Sequence, residues 1–107
     1  EKEWLQRVAD HGCVINSNSQ VQLHHPSGRE AKQDKMFIGR FFVIPLSPWL
    51  HDVDSMHCWN VTHHRKKFIE EFGMESELWY KMVLKLAAES PLPFGRDIID
   101  AVMATKR

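Results

Sequence analysis

The chain has no long hydrophobic run. No stretch approaches the roughly 18 apolar residues that a membrane-spanning helix needs, and no membrane partner is expected. The opening Glu1-Lys2-Glu3-Trp4 has no apolar core behind its charges, so no signal peptide is expected. An excess of one charge sign is also missing. Lys plus Arg number 14 and Asp plus Glu 14, for a formal net charge of zero. Bulk charge therefore gives no argument for nucleic acid, and any DNA-binding surface must be a local patch. Cysteine is scarce. Cys13 and Cys58 have no C-x-x-C spacing, which excludes a four-cysteine zinc signature. One disulfide could be drawn, but free thiols in a reducing cytoplasm are expected. Repeats and low-complexity tracts are absent.

What is present supports one small domain covering residues 1–107. A chain of 107 residues is too short for two domains. Its 43% hydrophobic and 10% aromatic content supports a real core. Seven histidines are many for this length, and such an excess raises the prospect of metal binding.

The patterning predicts an α+β fold. Residues 1–10 read as a short helix with Trp4, Leu5 and Val8 on one face, stopped by Gly12. Trp4 is expected to anchor the core. Residues 13–16 form an apolar strand, Ser17-Asn18-Ser19 a turn, and residues 20–24 an alternating strand. Together they predict a β-hairpin with His24 and His25 at its exit. Residues 26–40 read as a loop, where Arg29, Lys32, Lys35 and Arg40 outnumber Glu30 and Asp34. Such a surplus suits phosphate contact, or is simply solvated. A buried run follows over residues 41–44. Ser47 and Pro48 then predict a helix over residues 48–56 with Ser47 as N-cap, carrying His51 one turn in. Asp52 and Asp54 are either ligands or ordinary exposed acids. His57 is a further ligand, a supporting group or a surface histidine.

Residues 63–72 predict a helix with Phe68, Ile69 and Phe72 inward and Gly73 as its C-cap. The basic run His63 to Lys67 is answered by Glu70 and Glu71 and reads as a solvated face. Residues 75–89 give the clearest helix, with Leu78, Trp79, Met82, Val83 and Leu86 in one apolar stripe. Glu75 and Glu77 stand at its N-terminal end, where the helix dipole favours acids. A last helix over residues 96–106 is expected to turn Ile98, Ile99, Val102 and Met103 inward.

The pair Leu23-His24-His25-Pro26, answered by Ile44-Pro45-Leu46-Ser47-Pro48-Trp49-Leu50-His51, organises the rest. Neighbouring side chains on a strand point to opposite faces, so His24 and His25 cannot easily share one job. One can bind a metal while the other faces a substrate. The alternative is two polar residues ending an edge strand. Cys13 is buried structure or one remnant ligand of a lost zinc site.

This order of parts resembles the ββα-metal arrangement of HNH endonucleases, and within them the phage Ref recombination-enhancement family, whose members include a RecA-dependent nuclease. The likeness is carried by Gly12-Cys13-Val14-Ile15, Leu23 to Arg29, Val43 to His51, and Lys67 to Gly73, a motif region over residues 12–73. It implies a small HNH-like ββα-metal core, a β-hairpin plus helix, flanked by N-terminal and C-terminal helices, the latter over residues 75–107. By the resemblance, His24 and His51 are metal ligands and His25 is the general base. Arg29, Lys32, Lys35 and Arg40 are the candidate substrate contacts. Phe42 stands where the family commonly has its middle Asn; Asn60 is a substitute. The family often has paired cysteines before the hairpin and a Cys at the position of Ser47; this chain keeps only Cys13 of that set, so a structural zinc is not expected. Leu50 stands where the family often has a second His, which leaves a sparse metal shell.

The implied activity is metal-dependent hydrolysis of DNA phosphodiester bonds in phage or prophage recombination. The cofactor is one divalent ion, Mg, Mn, Zn or Ni. Imidazole suits Mg less well unless a carboxylate joins in, and Asp52 and Asp54 are the nearest candidates. The partners implied are DNA, single-stranded, double-stranded or branched, and a recombinase filament. The location implied is the cytoplasm of a bacterium, with the gene bacterial or phage-encoded. A rival expectation is a catalytically inactive descendant that binds nucleic acid or protein. A second is an unrelated small α+β protein.

Overall fold

The computed structural model describes residues 2–107. Helix α1 spans Lys2–His11 and buries Trp4 and Val8; Glu1 of the expected helix lies outside the described residues. Four short strands follow: β1 (Gln22–His24), β2 (Lys32–Gln33), β3 (Met36–Phe37) and β4 (Ile44–Leu46). Four helices close the chain: α2 (Pro48–His51), α3 (Arg65–Phe72), α4 (Glu75–Glu89) and α5 (Arg96–Met103). The class is α+β. Among the described residues, no helix is long and apolar enough to cross a membrane.

The expected hairpin between residues 13–16 and 20–24 does not form. Strand β1 pairs antiparallel with β4 instead, with Leu23 opposite Pro45 and His24 opposite Ile44. Residues 13–18 close on themselves: Cys13 N donates to Asn18 O at 2.9 Å and Ser17 N donates to Cys13 O at 2.9 Å. Asn16 Oδ1 accepts from Asn18 N, and Asn18 Oδ1 from Gln20 N. Short polar side chains thus offer the backbone an alternative to a ladder. Pro45 fits in β4 because its carbonyl turns away from β1 to accept from Val14 N at 3.1 Å. Its missing N–H faces the same way and removes nothing from the β1–β4 pair.

The loop over residues 26–40 contains a second, two-residue pairing of β2 with β3. Asp34 and Lys35 between them have φ of 52° and 67°. Two successive positive values are the mark of a tight hairpin turn that usually selects Asn-Gly. Gly39 is needed nearby, because a Cβ there would lie 2.2 Å from Gly28 O.

The buried run sits where expected, with Phe42, Val43 and Ile44 at 0% exposure, but the paired strand begins only at Ile44. Helix α2 ends at His51, not residue 56. Asp52 is extended, and its Oδ1 accepts from Asp54 N at 3.0 Å, so a local turn competes with the next helical bond. Ser47 takes the N-cap position without a side-chain cap; its hydroxyl donates to Asn16 Oδ1. Helix α3 starts two residues later than expected, and Gly73 ends it with φ 97°. Helix α4 has the expected bounds and buries the whole stripe. Met103 of α5 is 38% exposed and is not inward.

One carbonyl ties the layers together. The indole N–H groups of Trp4 and Trp79 both donate to Phe41 O, at 3.0 and 2.8 Å. Buried indoles need such partners. Phe94 meets Trp4 edge-on at 5.0 Å and stacks on Trp79 at 5.7 Å. Helix α4 also packs against β4 and α5. This core fixes β4, and β4 fixes α2.

Candidate functional site

Strand β1 ends on His24, and β4 runs through Ser47 into α2, which ends on His51. The β1–β4 pairing therefore carries two imidazoles to one place. Their ring centroids are 4.9 Å apart. Both line a cavity of about 550 Å³, walled also by Gln22, Asp52, Arg65, Glu75 and Arg107.

A chain of hydrogen bonds sets the His51 tautomer. Gln22 Nε2 donates to Asp52 Oδ2 at 2.9 Å. A carboxylate only accepts, so the amide nitrogen faces Asp52 and the amide oxygen faces His51. That oxygen lies 2.8 Å from His51 Nδ1, which must carry the proton. The lone pair is left on Nε2. An outer partner that fixes ring and tautomer is what metal-binding histidines have. Burial, and then the charge of His24, hold the His51 pKa below 6.5, against the opposing pull of Asp52. A neutral imidazole is the ligand form. The backbone N–H of Asp54 and the Gln22 amide hold the Asp52 carboxyl below its ordinary value.

The lowered His51 value has a consequence for stability. A histidine whose folded pKa is depressed resists a proton that the unfolded chain accepts. Its contribution is complete above pH 6.5 and is lost as pH falls through the folded value. Thermal unfolding followed from about pH 7 down to about pH 5 should show a smaller acid loss for His51→Gln than for the wild type. Parallel curves would contradict this.

His24 Nε2 lies 3.3 Å from Glu75 Oε1, and Arg65 Nε lies 3.5 Å from the same oxygen. Glu75 is 0% exposed and opens α4, so the wall includes an acid that the sequence marks only as favoured by the helix dipole. Among the described residues, no group of three or more His, Cys, Asp or Glu is arranged to hold a metal ion. The cavity thus presents an open pair of imidazoles, with Glu75 beside His24 and Asp52 held by Gln22, not a closed centre.

The described wall includes neither His25 nor His57. His25 is partly exposed with its Nε2 buried, and its charge still helps lower the His51 pKa. His57 sits 4.5 Å from the Trp49 ring and 5.6 Å from Trp59, and its Nδ1 accepts from Trp59 N. That aromatic cluster joins α2 to the loop after it. The four loop cations lie elsewhere. Arg29 and Lys35 are exposed. Lys32 stands 4.3 Å over the Phe37 ring and lines a second cavity with Lys106 and Arg107. Arg40 faces Glu30 at 3.5 Å, both at least half exposed. The cations on the histidine cavity are instead Arg65 and Arg107. Arg65 belongs to the basic run read as a solvated face, and its proximity is set by the α3–α4 turn, which leaves no local pattern.

Asn60 is fully buried. Its Nδ2 donates to Trp49 O and Asp52 O, and its Oδ1 accepts from Thr62 N and His63 N. It fastens the loop after α2. Phe42 packs edge-on against Trp79 in the core. Both cysteines are free, Cys13 buried and Cys58 exposed.

No family model, no curated protein and no solved structure matches this chain.

Proposed function

We propose that this domain is a metal-dependent DNA endonuclease of the HNH type, with β1, β4 and α2 as its ββα-metal core. One observation carries the reading: His24 and His51, on elements distant in sequence, line one cavity with their rings 4.9 Å apart. The residues fit a cation in donor chemistry. His51 holds a lone pair on Nε2, and a buried carboxylate stands beside His24. A divalent cation bound there supplies charge to the phosphate and to the leaving oxygen.

The chain's own groups divide the remaining work. Arg65 and Arg107 place positive charge on the cavity wall, where a phosphodiester would be bound and oriented. The family resemblance gives His25, which stands outside the described cavity wall, the proton of the attacking water. Water oxygen bonds to phosphorus, the bond to the leaving sugar oxygen breaks, and that oxygen leaves with a proton from solvent. Gln22 keeps His51 from taking up a wrong tautomer.

A second reading, a nucleic-acid-binding module without catalysis, is favoured by two observations. Three-ligand metal groups are absent among the described residues, and His25 Nε2 is buried. Plasmid nicking with Mn²⁺ or Mg²⁺ separates the two. The nuclease reading expects the wild type to open supercoiled DNA. It expects His25→Ala to be slower by about 10²–10⁴-fold. Undiminished cutting by His25→Ala overturns the base assignment. DNA binding without cutting by the wild type establishes the second reading.

A further inference from the structure

We infer that Glu75 is a ligand of the cation bound beside His24, and that the site therefore takes Mn²⁺ or Mg²⁺. The inference rests on the metal-dependent reading above and deepens it. Glu75 lies outside the segment over residues 12–73 that carries the family likeness.

The carboxylate is fully buried on the cavity wall. Its Oε2 has no hydrogen-bond partner among the described residues, and neither does Nη2 of the adjacent Arg65. Buried polar atoms in folded proteins are nearly always paired, so each exception needs a reason. Oε1 lies 3.3 Å from His24 Nε2. This is a long hydrogen bond. An octahedral cation with bonds of about 2.0–2.1 Å needs neighbouring ligands roughly 2.8–3.0 Å apart. Among the described residues no three-ligand group is yet at metal spacing, so a cation would draw the imidazole and the carboxylate a few tenths of an ångström closer.

The other nearby acids are engaged or solvated. Asp52 accepts from Gln22 through Oδ2 and from Asp54 N through Oδ1. Asp54 is exposed. Glu75 alone joins burial to an orphan oxygen at the histidine pair. A site of imidazole plus carboxylate with open positions suits cations that keep water and bind substrate phosphate. Arg65, at 3.5 Å, neutralises the acid until a cation arrives.

The test is Mn²⁺ binding followed by electron paramagnetic resonance on the full chain freed of metal, with no DNA present. Thermal unfolding in EDTA and in Mn²⁺ is measured alongside. The wild type should bind one Mn²⁺ and rise in Tm with it. Glu75→Gln should bind at least about tenfold more weakly and lose that rise, while its Tm in EDTA stays at or above the wild-type value. Asp54→Asn should bind as the wild type does. If Glu75→Gln fails to fold, Arg65→Met decides. The inference expects Mn²⁺ affinity to hold or increase in that variant, and a fall overturns it. Equal binding by Glu75→Gln and wild type overturns the Glu75 assignment; loss on His24→Ala in that case leaves the histidine site standing. A wild type that binds no Mn²⁺ overturns both.

Discussion

Trp79→Ala should lower unfolding stability by about 3–5 kcal/mol, a large part of the roughly 5–15 kcal/mol that holds a small domain together. Trp79 has no exposed surface and stacks on Phe94, with Phe42 edge-on at 5.9 Å. Truncation opens a cavity where α4 meets β4. It also removes one of three donors from Phe41 O, the others being the Trp4 indole and Val43 N. Trp4 still reaches that oxygen, so it is not orphaned. Trp79→Phe keeps most of the ring and loses the N–H, and should cost less. Urea unfolding monitored by circular dichroism checks both. An unchanged midpoint for Trp79→Ala would mean that this junction does not hold the fold.

The second large effect is on activity. His51→Ala should cut metal-dependent nicking by at least about a hundredfold, with a urea midpoint close to the wild-type one. The side chain ends the four-residue α2 and is only partly buried, so little packing goes with it. What disappears is a neutral imidazole whose Nε2 lone pair is held in place through Gln22 and Asp52. Nicking that survives His51→Ala within a few-fold would remove His51 from the site. The two variants separate the scaffold from its cargo: one removes stability, the other removes chemistry.

These elements differ in how far local sequence determines them. Helix α4 was legible because every local signal agrees. Its stripe keeps helical period, Gly73 stops the helix before it, and Ser90-Pro91 stops α4 itself. The partner of β1 was not. Residues 13–16 have strand composition, but Asn16 and Asn18 bond their own backbone, and only Val14 reaches Pro45. The pairing with β4 is set by tertiary packing. Glu75 shows the limit most clearly. An acid at a helix N-terminus looks the same in sequence whether it meets water or a cavity. Its burial against His24 depends on how α4 leaves Gly73 and passes β1. Arg65 was hidden for the same reason.

The central claim is that His24 and His51 share one cation, and anomalous scattering from crystals soaked in Mn²⁺ tests it most directly. The account predicts a single strong peak within bonding distance of both imidazoles, with Glu75 beside it. A peak elsewhere, or none at saturating Mn²⁺, would contradict it.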